Sequence, residues 1–159
     1  TTTEVARAIA THADLNNRQE PGVTVVTNAL NIANELTVRP HVKIVLTGGV
    51  ARPQSYELIG PLGNKVLDEL SLDMAFLGVD GFDPQLGASA FHEGEASINS
   101  LIAQRARRVA VVADASKLGH RAFARICSVA EVDVLVTDSA APADMVQRFE
   151  DAGVDVVQA

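Results

Sequence analysis

The chain has 159 residues, 47% of them hydrophobic and 21% charged, with one cysteine and no tryptophan, enough for one core without disulfides or a structural metal. Thirteen basic against twenty acidic residues leave a formal charge of −7, the wrong sign for a surface that grips a polyanion, so this stretch is not expected to contact DNA itself. The longest apolar runs, at 75–79 and 109–113, fall far short of the roughly 20 residues of a membrane span, the first residues carry no basic-then-apolar export signal, and a lone cysteine suits a reducing compartment, so a cytoplasmic location is expected.

Taken in chain order, the pattern predicts a helix over 2–12, opened by a capping box of Thr1 and Glu4. A strand over 23–27, a helix over 29–36 and a strand over 42–46 follow. Pro61 and Pro142 stand at first-turn positions of helices over 61–70 and 142–152, where a missing N–H costs nothing. Between these come a strand over 73–79, a helix over 93–106, and strands over 109–113 and 132–137. Gly153 suits a left-handed cap before a short sixth strand over 154–157. Short β-branched runs alternating with helical patterns predict βαβ units, hence a single-domain α/β layer sandwich with a largely parallel sheet. Cys127, among Ile126 and Val129, reads as a buried small hydrophobe rather than a nucleophile.

In such sheets ligands sit at the carboxyl ends of the strands, and there the sequence concentrates small and polar groups. Thr27-Asn28 follow the first strand, Thr47-Gly48-Gly49 the second, Asp80-Gly81-Phe82-Asp83 the third, Asp114-Ala115-Ser116-Lys117 the fourth and Thr137-Asp138 the fifth. A phosphate there needs backbone N–H groups, hydroxyls and a cation. Thr1, Thr2 and Thr3 offer hydroxyls at a helix start, Gly48 and Gly49 allow close backbone approach, and Lys117 is one of three lysines. Each residue also has a plain structural use: Asn28 as a helix cap, Asp80 and Asp83 as turn formers, Asp138-Ser139 as helix entry. Arg52, just past the glycine pair, is a second candidate cation or a solvated loop arginine. His12, His41 and His120 have no ligand-like spacing to one another or to Cys127, so neither a metal site nor a cofactor is expected.

The order of these pieces resembles the C-terminal effector-sensing domain of DeoR-type transcription regulators. The resemblance is carried by Thr1-Thr2-Thr3, Val25-Val26-Thr27-Asn28 with Ile32-Ala33, Leu46-Thr47-Gly48-Gly49, Gly60-Pro61-Leu62, Asp73-Met74-Ala75-Phe76-Leu77-Gly78-Val79-Asp80-Gly81, Ala113-Asp114-Ala115-Ser116-Lys117-Leu118-Gly119, and Val132-Asp133-Val134-Leu135-Val136-Thr137-Asp138. It implies a three-layer α/β sandwich of the ribose-5-phosphate isomerase and CoA-transferase type. It also implies a non-catalytic sensor of a small phosphorylated sugar, homo-oligomeric, in a regulator that contacts DNA through an N-terminal winged helix-turn-helix outside this chain. The family's opening strand, with the acidic and glycine residues before the threonine run, is expected to be cut off as well.

Val79-Asp80-Gly81-Phe82-Asp83 is also similar to the Val-Asp-Gly-Ala-Asp of ribose-5-phosphate isomerases, which makes an isomerase the rival reading. Aldose–ketose isomerisation needs a carboxylate to move a proton and a cation or donor to stabilise the enediolate. Counted back from Asp114-Ala115-Ser116-Lys117, the isomerase lysine falls at Ala90 and its glutamate at Asn99, and no lysine stands between Lys65 and Lys117. His92, Glu93 or Glu95 could still act as a base, but a base without its electrophile makes a weak isomerase. His92 therefore reads as a solvated loop residue or a polar ligand contact. Glu95, at a helix opening where the dipole favours a carboxylate, is either a cap or a reader of sugar hydroxyls. The expected ligand contacts are Thr1, Thr2, Thr3, Asn28, Gly48, Gly49, Arg52, Asp80, Gly81, Asp83, Glu95 and Lys117, with the phosphate near Thr1–Thr3 and Lys117, and no catalytic residue.

Overall fold

The computed structural model describes residues 2–12 and 22–159, and the chain divides into two units, Thr1–Glu69 and Leu70–Ala159. In the first unit helices α1 (Thr2–Thr11) and α2 (Leu30–Leu36) bury Ala6, Ala10, Ile32 and Leu36. Strands β1 (Val23–Thr27) and β2 (Val42–Leu46) pair in parallel, Val23 opposite Val42 through Thr27 opposite Leu46. Their branched side chains, Val23, Val25, Val42 and Ile44, complete that core, as β-branched residues suit a pleated surface. The ring of buried His41 ties the end of α1 to the start of β2, its Nε2 lying 2.9 Å from the Ala10 carbonyl. Thr1, and with it the capping box expected there, lies outside the described residues.

Beyond β2 the chain forms an antiparallel hairpin of β3 (Val50–Arg52) and β4 (Glu57–Ile59). The sequence pattern does not predict it, because three-residue strands carrying Ala51, Arg52 and Glu57 have no period to read. Its loop closes through Tyr56, whose N–H donates to the Arg52 carbonyl at 3.0 Å and whose φ is 59°. A left-handed conformation costs an L residue about 1–2 kcal/mol. Gly60, at φ 101°, then leads into α3 (Pro61–Asp68), with Pro61 in the first turn as expected.

The second unit is built on four parallel strands in the order β11-β10-β8-β5, namely β5 (Ala75–Gly78), β8 (Val109–Val112), β10 (Val134–Thr137) and β11 (Asp155–Gln158). All four lie where the apolar runs predict strands. The continuous apolar run of β8 is buried throughout, the pattern of a strand covered on both faces. Helices α4 (Glu93–Arg105) and α5 (Ala143–Asp151) occupy the expected segments. Pro142 stands one residue ahead of its expected place, as the N-cap of α5 at ψ 136°. Gly153, at φ 88°, is the left-handed residue after that helix.

The same unit holds a three-stranded antiparallel sheet, β6-β7-β9, of which the sequence reading takes the first segment for a strand-end turn and assigns the other two no element. Its members are β6 (Gly81–Asp83), β7 (Gly87–Ala90) and β9 (Ala124–Cys127). Glycine and alanine have low strand propensity, and these segments are strands because partners pair with them and bury them. Cys127 is buried, and burial first, then the charge of Glu131, pushes its thiol up to about 11, so it is inert as a nucleophile. The fold class is mixed α/β with mostly parallel pairing among the long strands. No helix among the described residues is long and apolar enough to cross a membrane.

Phe149 of α5 stacks on Phe82 of β6, centroids 4.5 Å apart and planes 20° from parallel, with both rings fully buried. This stack pins a helix to the small sheet. Phe149→Ala should cost about 3–5 kcal/mol, read as a lower urea midpoint, and Phe149→Leu should recover part of it.

Candidate functional site

In the first unit the candidate residues stand around the carboxyl ends of β1 and β2. Thr2 and Thr3 form the first turn of α1, and the Thr3 hydroxyl accepts from the Asn31 carboxamide at 3.0 Å, so the starts of α1 and α2 meet. Asn28 is buried directly after β1. Its backbone carbonyl accepts from Leu58 N–H at 2.8 Å, while its side-chain nitrogen lies 3.4 Å from both the Glu57 carboxylate and the Leu58 carbonyl. Those long side-chain contacts leave the carboxamide loosely held.

The two glycines after β2 differ. A Cβ on Gly49 would stand 2.6 Å from the Ile59 carbonyl oxygen, whereas one on Gly48 would meet nothing within 4 Å. Gly49 is therefore needed for β3 and β4 to close, whereas the space beside half-buried Gly48, at φ 80°, is open where a side chain would stand. Arg52 ends β3 opposite Glu57. The β3–β4 hairpin thus brings Asn28, Gly49 and Arg52 together.

In the second unit side chains at the strand ends mostly serve the chain's own backbone. Asp80 Oδ2 accepts from Phe91 N–H at 2.8 Å, which fixes the entry to α4. Asp83 Oδ1 accepts from the N–H groups of Gln85 and Leu86 at 2.8 and 2.9 Å, the geometry of a turn former. Gly81 has no room for a side chain, since a Cβ would come within 2.6 Å of the His120 carbonyl oxygen. His92 is the N-cap of α4, and its Nδ1 accepts from Gly94 N–H at 3.1 Å. Glu95 lies in the first turn of α4, where the dipole favours it.

Lys117 ends the short turn Ala115–Lys117 after β8 and is half-buried. The next residues run beside β6, with Leu118 bridged to Phe82 and Gly119 N–H donating to the Phe82 carbonyl at 2.8 Å. Lys117 and the start of β6 therefore come together within this unit. Asp114 caps the turn by accepting from Ser116 N–H at 2.9 Å and from the Ser116 hydroxyl. The Ser116 hydroxyl first, and the Lys117 ammonium to a lesser degree, hold the Asp114 carboxyl below its ordinary value.

Three residues contribute in ways that the sequence reading does not give, although it places Thr137 and Asp138 at a strand end. Asp138 does more than open a helix, since its two oxygens accept from Ala140 N–H at 2.8 Å and Ala115 N–H at 3.0 Å, clamping the Lys117 turn to the end of β10. Buried Ser89 donates to the Gly81 carbonyl at 3.2 Å and accepts from Ala122 N–H at 2.9 Å. Buried Thr137 has a hydroxyl without a hydrogen-bond partner among the described residues. Thr137 and Asp138 carry a sequence signal, small polar residues at a strand end, and Ser89 carries none. Among the described residues no group of three or more His, Cys, Asp or Glu is placed to hold a metal ion.

A family model described as the DeoR C terminal sensor domain matches residues 1–139. Similar proteins include a putative aga operon transcriptional repressor of Escherichia coli O157:H7, 34% identical over 157 residues, which is 99% of this chain and 55% of that protein. The HTH-type transcriptional regulator GlpR of Haloferax volcanii is 34% identical over 157 residues, 99% of this chain and 58% of its own. The glycerol-3-phosphate regulon repressor of Escherichia coli K12 is 32% identical over 147 residues, 92% of this chain and 55% of its own. The chain thus spans little more than half the length of these relatives, and all three are named as regulators or repressors, not enzymes.

The glycine pair should respond unequally to substitution. Gly49→Ala should cost about 1–3 kcal/mol through overpacking against β4, on top of its backbone strain, while Gly48→Ala should cost only the left-handed penalty of about 1–2 kcal/mol; urea midpoints separate the two. For Asp114, a folded-state carboxyl held below its ordinary value stabilises the fold above that ordinary value, and the contribution is lost as the pH falls through the lowered folded-state value. Asp114→Asn should therefore be slightly less stable than wild type at pH 7, the residue being exposed, and the difference between the two urea midpoints should shrink as the pH is taken down into the acid range.

Proposed function

The chain belongs to the family of DeoR C-terminal sensor domains, and from that membership we propose that it is the effector-sensing part of a transcription regulator whose DNA contacts lie in a separate module. The observation that carries this reading is the family match across residues 1–139. The net charge of −7 supports it, because a sensor that leaves DNA to another module has no need of a basic face.

The proposed effector is a small phosphorylated carbohydrate. One relative is named a glycerol-3-phosphate regulon repressor, and the strand ends offer the group types such a ligand needs. Within the first unit the groups proposed to suit such a ligand are Thr2, Thr3, Asn28, the backbone at Gly48 and Arg52, with Thr1 added from sequence alone. Within the second, as a separate proposal, they are Glu95 and Lys117, whose ammonium suits a phosphate. Gly49, Asp80, Gly81 and Asp83 are set aside, since close packing and hydrogen bonds to the chain's own backbone account for them. In the intact regulator, a homo-oligomer in this reading, the effector acts only if it binds one arrangement better than another.

Melting temperature measured against glycerol 3-phosphate, ribose 5-phosphate, fructose 1-phosphate, glucose 6-phosphate and their unphosphorylated parents tests the reading. A ligand at a hundred times its Kd adds about 2.7 kcal/mol, or roughly 5–10 °C for a chain of this size. The expected result is a shift with a phosphorylated compound that is recovered unchanged and whose parent is silent. Equal shifts from parent and phosphate, or turnover of the compound, would overturn it.

A further inference from the structure

Tyr56 is the one tyrosine of the chain and, among the described residues, the one non-glycine residue with a positive φ. It is the last of the four loop residues between paired Arg52 and Glu57, the place where the chain must turn left-handed to re-enter the ladder. Glycine or asparagine takes that conformation at little cost, and a large L side chain normally recovers the strain by burial. Tyr56 does not, because it is 61% exposed and its phenol has no hydrogen-bond partner among the described residues. The backbone conformation closes the hairpin, but the exposed side chain recovers little of its strain by burial, and such strained residues cluster at binding and catalytic positions.

The backbone places this residue against the candidate contacts of the first unit. The Tyr56 carbonyl accepts from Leu30 N–H at 2.8 Å, Glu57 bridges to Ala29, and Leu58 binds the Asn28 carbonyl, so Tyr56 is fastened one turn from Asn28 at the end of β1. Its neighbour Ser55 has a buried hydroxyl without a hydrogen-bond partner among the described residues, a second polar atom left unmet there. We propose that Tyr56 is a specificity-determining contact for the effector, its ring packing on the carbon face of the polyol and its hydroxyl exchanging a hydrogen bond with a sugar hydroxyl. This rests on the reading that a phosphorylated carbohydrate is the ligand. A phenol suits that ligand because it pairs an apolar face with a group that both donates and accepts.

The test compares wild type, Tyr56→Asn and Tyr56→Phe, each alone and with the phosphorylated compound that shifts the wild type most, by melting temperature and by calorimetric Kd. Tyr56→Asn should melt about 2–4 °C higher than wild type without ligand, the relief of one strained residue, yet bind about tenfold more weakly, which roughly halves the ligand-induced shift at a hundred times the wild-type Kd. Tyr56→Phe, which keeps ring and strain, should leave the unliganded melting temperature unchanged and weaken binding about threefold. Kd values for Tyr56→Asn within twofold of wild type would overturn the inference alone, as would a lower unliganded melting temperature, which would show that the ring stabilises the fold. A wild type that no compound shifts would overturn the effector reading and this inference with it.

Discussion

A parallel strand that ends beside a helix start leaves backbone N–H groups that no neighbouring strand can take up, and a buried one left unpaired costs about as much as a lost hydrogen bond. The strand ends of this chain meet that demand with side chains. Thr27 accepts from Ala29 N–H, Asp80 from Phe91 N–H, Asp114 from Ser116 N–H and Asp138 from Ala115 and Ala140 N–H. The rim looks rich in ligand-binding groups in the sequence, but much of its polarity is committed to holding the chain's own turns. In the first unit the backbone at Gly48 and the carboxamide of Asn28, with its two 3.4 Å contacts, are less committed in this way, and in the second unit so is the ammonium of Lys117.

Close backbone approach is the second constraint, and it explains glycines that look alike in sequence. Gly49 lets β3 lie against β4, and Gly81 lets β6 run beside residues 120–122, where Ser89 joins both to β7. The Asp80-Gly81-Phe82-Asp83 segment, so similar to an isomerase motif, is here a short strand whose glycine serves packing and whose second aspartate closes a turn. Motif likeness in this segment reports a shared way of building the fold. It does not by itself carry a shared chemistry.

The hairpin over residues 50–59 has the opposite character. It is short, and its loop bears a left-handed tyrosine and a serine hydroxyl without a hydrogen-bond partner among the described residues. Elements that contribute least to stability are those a sensor can use to read a ligand, because their geometry is not already consumed by the core. The buried stack of Phe82 and Phe149 is the contrasting case, where large side chains are committed wholly to packing.

The six apolar runs and the five helices between them were legible in the sequence, because β-branched clusters and helical periodicity are local signals that survive in almost any tertiary setting. The order of the strand-end segments likewise revealed the family, since it depends on residue identity at fixed spacing. Two kinds of feature were decided only by the tertiary structure. The three- and four-residue strands β3, β4, β6, β7 and β9 carry no apolar run or alternation that announces them, and exist because the segments they pair with supply their hydrogen bonds. Whether a polar residue at a strand end is bound to its own backbone was equally hidden, because the carboxylate of Asp83 looks like a ligand contact until the N–H groups of Gln85 and Leu86 that face it are known. Periodicity is a property of neighbours along the chain, whereas hydrogen-bond satisfaction is a property of neighbours in space.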